Sequence, residues 1–306
     1  MYKTMKKKNR LRVKNDRQKL LMCVLPLIKI FLFSYVPMVG LVVAFQQYKP
    51  RTMFFSEWVG FSNFEVIFSN PELGNLLTNA IILNFAYVIA GTIVGALLAL
   101  FLYEISSKAI VKFSQAIILM PYLLAWPIVG MMTTSLFGIN GILTQGLGLF
   151  GIKVDFYNRP ELWRGIMTVI YTWKAAGMTS LGFYAVLLGT DKAVYEAADI
   201  DGAGRYQKMW YISLPNLIPM SLVGFIMACG NIIRSDFSMN FFIIGGNSTL
   251  YETVDILESY LYRALMNASN YGNMIALGLF QGVVGLILSL LANYAVSKID
   301  KSSSIF

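Results

Sequence analysis

Apolar runs separated by short polar intervals occupy the whole length of the chain. Six approach or exceed the ~20 residues that a helix needs to cross a bilayer. They cover about 20–46, 75–103, 110–137, 161–189, 215–234 and 272–297. No segment shows the short alternation of a membrane β-strand. The pattern predicts an all-α polytopic protein of six transmembrane helices, because a helix satisfies its own backbone polar groups inside lipid. Pro26 and Pro37 predict a kinked first span, since each removes a backbone N–H. That run is too long for a signal peptide and lacks a small-x-small cleavage site, so it is expected to be retained.

The polar intervals orient these spans. Nine Lys/Arg lie between Lys3 and Lys19, directly before the first run. With 104–112, 190–211 and 298–306 they make 16, against 7 in the longer intervals 47–74, 138–164 and 234–271. The positive-inside bias then puts both termini in the cytoplasm, with a basic tail at 1–19, a membrane domain at 20–297 and a second tail at 298–306. The tail at 1–19 faces anionic membrane lipid rather than nucleic acid. In the first outer interval, Ser62 and Glu65 match a capping box, and Phe61, Phe64 and Phe68 share one helical face behind Trp58. An interfacial helix is predicted there. The interval 234–271 is longer than a turn needs and contains Phe241-Phe242-Ile243-Ile244 followed by two glycines.

Composition narrows the chemistry. The chain is 306 residues long, 57% hydrophobic and 13% charged, far from the soluble average. It has no histidine, which removes imidazole acid–base work and most zinc or haem ligation. Cys23 and Cys229 fall in apolar runs and read as small core residues. No phosphate-binding loop, dinucleotide fingerprint or nucleophile elbow is present, so the chain is not expected to be an enzyme and no metal or catalytic residue is assigned. A transporter, channel or scaffold remains.

Polar side chains within or beside the spans are costly and read as functional by default. Trp173, Lys174, Thr179 and Ser180 in the fourth span are candidates for a substrate pathway. So are Asn231, Arg234 and Asp236 at the end of the fifth, with Asn84 and Tyr87 in the second. Interhelical hydrogen bonding or interfacial anchoring is the alternative for each. Lys29 can instead snorkel along its helix. Gly91, Gly95, Gly278, Gly282 and Gly285 are expected to allow close helix packing.

The interval 190–215 reads as a compact helix–turn–helix. Glu196, Ala197 and Ala198 favour helix, Asp201-Gly202 breaks it, and Tyr206 and Trp210 sit one turn apart in a second helix. Pro215 then opens the next span. The string Glu196, Ala197, Ala198, Asp201, Gly202, Ala203, followed by Ile212, Leu214 and Pro215, resembles the cytoplasmic loop of ABC-importer permeases. The resemblance extends over Phe33 to Gly40, Tyr48-Lys49-Pro50, Trp58-Val59-Gly60, Ala203 to Tyr206 and Tyr260 to Arg263. It is similar to the LplB-like subgroup of the maltose-type carbohydrate permeases. Met209 departs from a commoner aromatic, Lys29 from an apolar residue and Asp236 from a small one.

The resemblance implies a type I importer (MetI-like) fold, with 196–203, Leu214 and Pro215 as the coupling surface. It implies a second, different permease and two ATPase subunits carrying ATP and Mg. It also implies an extracellular sugar-binding lipoprotein, and alternating access as the mechanism. Two other readings stay open: a permease for a non-sugar solute, and a self-contained secondary transporter, which would need coupling carboxylates inside the spans.

Overall fold

The structure is a computed structural model that describes residues 19–49, 51–268 and 271–299. Most of the N-terminal tail and of the C-terminal tail lie outside the described residues. The described part forms two compact units, one drawn from 1–69 and 270–279, the other from 70–269 and 280–306.

The first unit contains α1 (Lys19–Phe45), a helical run of 27 residues. It widens to a π-turn over Phe31–Tyr35 and tightens to 3-10 winding over Val36–Phe45. The change falls at Pro37, which has no N–H to give and crowds the carbonyl four residues back. A two-residue ladder follows, β1 (Gln46–Gln47) antiparallel to β2 (Glu57–Trp58). Then comes α2 (Ser62–Phe68). The buried Asn63 amide donates to Ala44 O at 2.8 Å and Gln46 O at 3.0 Å, tying α2 to the ladder. The Phe45 ring lies 5.4–5.6 Å from Trp58, Phe61 and Phe64. The expected capping box is absent. Phe61 occupies the N-cap, and Ser62 Oγ donates to Val59 O at 3.0 Å, closing the preceding turn instead.

In the second unit, α3 (Leu73–Glu104) and α7 (Pro160–Leu188) run parallel and pack along their lengths. Leu83, Trp163, Met167 and Ile243 form one core at their starts, and Ala99, Phe183, Leu187 and Leu217 a second at their ends. The connection between these parallel helices holds α4 (Lys108–Leu123), α5 (Trp126–Phe137) and α6 (Ile142–Leu149). The stretch 110–137, expected as one span, is therefore two helices. Leu124 and Ala125 are extended, with ψ of 134° and 148°. Pro127 explains the break: it cannot donate to Leu123 O, and it suits the first turn of a new helix.

After α7 come α8 (Lys192–Ile200), α9 (Arg205–Lys208), a π-turn over Met209–Ser213 and α10 (Leu214–Cys229). Three shorter helices follow, α11 (Phe237–Ile244), α12 (Tyr251–Val254) and α13 (Leu257–Ala268), and then α14 (Tyr271–Ile299).

Among the described residues, five stretches are long and apolar enough to cross a membrane: Lys19–Phe45, Leu73–Glu104, Trp126–Leu149, Arg205–Cys229 and Tyr271–Lys298. With 29 residues, α7 has the length, but Glu161, Arg164 and Lys174 make it more polar. Of the five expected packing glycines, Gly95 lies against Thr179, and Gly285 against the Gly230 carbonyl. Among the described residues, nothing lies within 4 Å of where a Cβ would stand at Gly91, Gly278 or Gly282, although Gly91 itself is buried. Cys229 packs beside Ile226 and Val296, whereas Cys23 is exposed.

Candidate coupling surface and a polar node at a helix break

The helix α8 starts on a side-chain cap, Asp191 Oδ1 accepting from Ala193 N at 3.0 Å. It ends in a left-handed turn. Gly202 takes φ +78°, its N–H bonds Asp199 O at 3.2 Å, and Ala203 N–H bonds Ala198 O at 2.9 Å. That pair of bonds is the Schellman closure, which needs a residue without Cβ strain at the position of Gly202. Gly204 N–H then meets Gln207 Oε1 at 2.7 Å and starts α9.

The turn is braced from three sides. Lys208 Nζ reaches Asp199 at 2.5 Å, Tyr195 OH bonds Ser213 Oγ at 2.9 Å, and Arg205 pairs with Glu104 at the end of α3. Arg205 also donates to Glu104 O at 2.8 Å. Glu196, Ala197, Asp201 and Gly202 remain exposed, Ala198 and Ala203 half so. Ala198, Asp201, Gly202, Ala203 and Tyr211 edge a recess of about 350 Å³. Leu214 packs with Met209 on the second core, and Pro215 is exposed in the first turn of α10. The result is a firm, small-residue surface with an acidic rim.

A second constellation lies where α4 breaks from α5. Lys174 Nζ donates to Leu124 O at 2.7 Å, Tyr122 O at 2.8 Å and Pro121 O at 3.5 Å. They lie at a helix C-terminus, where a cation is favoured, and Pro121 O also accepts the Leu124 N–H at 3.2 Å. The same ammonium lies 5.1 Å from the Trp126 ring centre and 5.4 Å from that of Tyr122. Trp126 Nε1 donates to Asp236 Oδ2 at 2.6 Å. The other carboxylate oxygen of Asp236 accepts from Met239 N at 3.0 Å, capping α11.

The remaining candidates divide. Thr179 and Ser180 hydroxyls donate to the Ala175 and Gly177 carbonyls of their own helix. Asn84 Nδ2 donates to Ile232 O and Ser235 Oγ, which joins α3 to the segment after α10. Tyr87 is buried and stacks on Tyr171 at 4.3 Å. Trp173, Arg234 and Asn231 are exposed, and the Asn231 amide bonds Met227 O. Sequence reasoning passed over Trp126 and Tyr122. The Trp126-Pro127 pair inside an apolar run was the available signal. Arg164, which the charge balance counts with the interval 138–164 although the fourth span begins at 161, lies on α7 and donates to Asn79 Oδ1 at 2.8 Å and Thr253 O at 3.0 Å.

Residues 91–301 match the family described as the binding-protein-dependent transport system inner membrane component. Among curated proteins, the polygalacturonan/rhamnogalacturonan transport system permease YteP of Bacillus subtilis (strain 168) is 34% identical, over 95% of this chain and 92% of its own. LplB of the same strain is 32% identical over 94% and 91%. A crystal structure of a bacterial ABC transporter involved in the import of the acidic polysaccharide alginate contains a chain with TM-score 0.81 and 30% identity, covering 94% of this chain and 98% of that one. A second alginate transporter structure, in complex with a periplasmic protein carrying alginate pentasaccharide, gives 0.81 and 29% over 95% and 97%. The chain belongs to the binding-protein-dependent inner membrane component family and is a multi-pass ABC-importer permease of the bacterial plasma membrane, a transport subunit rather than a catalytic one.

Proposed function

We propose that this permease imports oligosaccharide or polysaccharide fragments by alternating access, driven by ATP bound with Mg on separate subunits. The observation that carries the coupling mechanism is the braced turn at 196–203. Its backbone is closed by the Schellman bonds, its exposed surface is made of small residues, and it joins α7 and α10 without slack. A flexible loop would dissipate a push from a partner, whereas this one passes it to both helices. Glu196, Ala197, Ala198, Asp201, Gly202 and Ala203 meet the ATPase, while Leu214 and Pro215 set the root of α10. Two ATPase copies serve this chain and a second, different permease, and a lipid-anchored sugar-binding protein delivers the load outside. With both termini in the cytoplasm and α7 spanning the membrane beside the five more apolar stretches, α8 faces the ATPase.

Trp173, Asn231 and Arg234 are the exposed groups proposed to face the pathway, an indole for sugar C–H faces and polar groups for hydroxyls. The carbohydrate class is supported by the named cargoes of the relatives and of the structural neighbours. ATP drives the cycle only insofar as it binds the closed state more tightly. The test is the assembled importer in liposomes, with a panel of neutral and uronate oligosaccharides including alginate and polygalacturonan fragments. Glycan-stimulated ATP hydrolysis and uptake are expected. Uptake by this chain alone would favour a secondary transporter, and stimulation only by a non-glycan solute would overturn the substrate class.

A further inference from the structure

The node at Lys174 invites a role other than sugar binding. Each of its three N–H donors is directed at a carbonyl of the α4–α5 break, at 2.7, 2.8 and 3.5 Å. An ammonium so occupied has little left to offer a sugar hydroxyl. Its position along α7 is informative. The C-terminal end of α7 leads through only Gly189, Thr190 and Asp191 into α8. Lys174 lies 14 residues before that end, about 21 Å along the axis. At Gly177 the α7 backbone meets Ile118 of α4 so closely that a Cβ would stand 2.1 Å from the Ile118 carbonyl oxygen. Beyond the break, Trp126 opens α5 and holds Asp236, which caps α11.

We infer that Lys174 is a positioning residue: it pins the α4–α5 break to α7 and, through Trp126 and Asp236, makes a displacement of α8 arrive at α11 as one concerted step. The inference rests on the proposed ATP-driven reading of the chain. Without the ammonium, the Tyr122 and Leu124 carbonyls lose their donor, Pro121 O keeps only the Leu124 N–H, and the break is held to α7 less firmly. The nucleotide step would then continue while its stroke stopped at α4.

The experiment uses the complete importer in liposomes, with alginate and polygalacturonan oligosaccharides as probes, and measures glycan moved per ATP hydrolysed. Lys174→Met keeps most of the side-chain length and removes the donors. Trp126→Phe keeps an aromatic ring while removing the N–H donor together with part of the indole. Both are expected to lower the ratio about tenfold, the size of a typical coupling free energy, with hydrolysis and assembly retained. Lys174→Arg should restore most of it, and the double variant should be no worse than the stronger single one. An unchanged ratio overturns the inference. So does a raised half-saturating glycan concentration at unchanged ratio, which would make Lys174 a substrate contact. Parallel loss of assembly, hydrolysis and uptake in both variants, with no rescue by Arg, would reduce the node to packing. If the wild-type importer moves none of the glycans, the proposed function fails instead, a result separate from any variant.

Discussion

Arg164 and Lys174 carry charge into an apolar bundle, and each ends on acceptors from its own chain. Arg164 serves the fully buried Asn79 and the Thr253 carbonyl, joining the starts of α3 and α7 to α12. Replacing Arg164 with Met would leave both acceptors unpaired, at a cost of ~1–3 kcal/mol. Thermal unfolding of the detergent-solubilised protein should show this as a lower midpoint, only partly recovered by Lys, which lacks the planar fork. An unshifted midpoint would mean that water replaces the guanidinium. Glu258, in the segment between α10 and α14, shows the opposite economy. One oxygen accepts from Ser235 N at 3.2 Å and Gln281 Nε2 at 2.9 Å, while the other is buried with no hydrogen-bond partner among the described residues. Burial pushes its carboxyl above the ordinary range. The folded state therefore holds the proton more tightly than the unfolded chain does. This contribution is full below the ordinary glutamate pKa and is lost as pH rises through the raised folded value. Glu258→Gln keeps an acceptor oxygen and removes the ionisation. Its unfolding midpoint should fall less than that of the wild type as pH is raised from about 4 to 8, and equal slopes would contradict the assignment.

At the scale of elements, the turn after α8 was legible in the sequence because everything it needs lies within a few residues. An Asp-Gly after an alanine-rich helix supplies the left-handed residue, and the closing bonds run only from 202 to 199 and from 203 to 198. Gly202→Val forces a β-branched side chain into φ near +78°, a strain of roughly 1–2 kcal/mol. Membrane insertion should be unaffected while ATPase co-purification weakens; full retention of the ATPase would show that the turn is not the contact. Glu196→Lys should abolish co-purification more completely, since it reverses the charge on the exposed rim without touching the brace. The α4–α5 break was not legible in the same way. Apolar periodicity continues across Leu124 and Ala125 unchanged. What ends α4 is a missing donor at Pro127, and what makes the ending tolerable is an ammonium some 50 positions away. Lys174 stood out as a charge in an apolar run, but its acceptors exist only once α7 lies against α4. The same limit governs the glycines: Gly91 and Gly95 share a pattern, yet only Gly95 meets a neighbouring helix.

For the whole molecule, hydropathy delimits the long apolar helices, and the charge of the intervals is what orients them. That orientation decides the mechanism, since α8 is useful to an ATPase only from the inside. Sixteen Lys/Arg against seven favour an internal α8. The apolar segment Phe241–Ile244 and its glycine turn then fall outside. Single cysteines test this directly after Cys23 and Cys229 have been replaced. Gln207 and Ser248 are both exposed, one on α9 and the other beyond α11, so a thiol at either position is open to reagent. In cells with a permeable outer barrier, an impermeant maleimide should label Ser248→Cys at once. Gln207→Cys should react only after the plasma membrane is opened. The reverse pattern would put the braced turn on the outside, where no nucleotide-driven partner could reach it, and would remove the physical basis for coupling through α8 and α7.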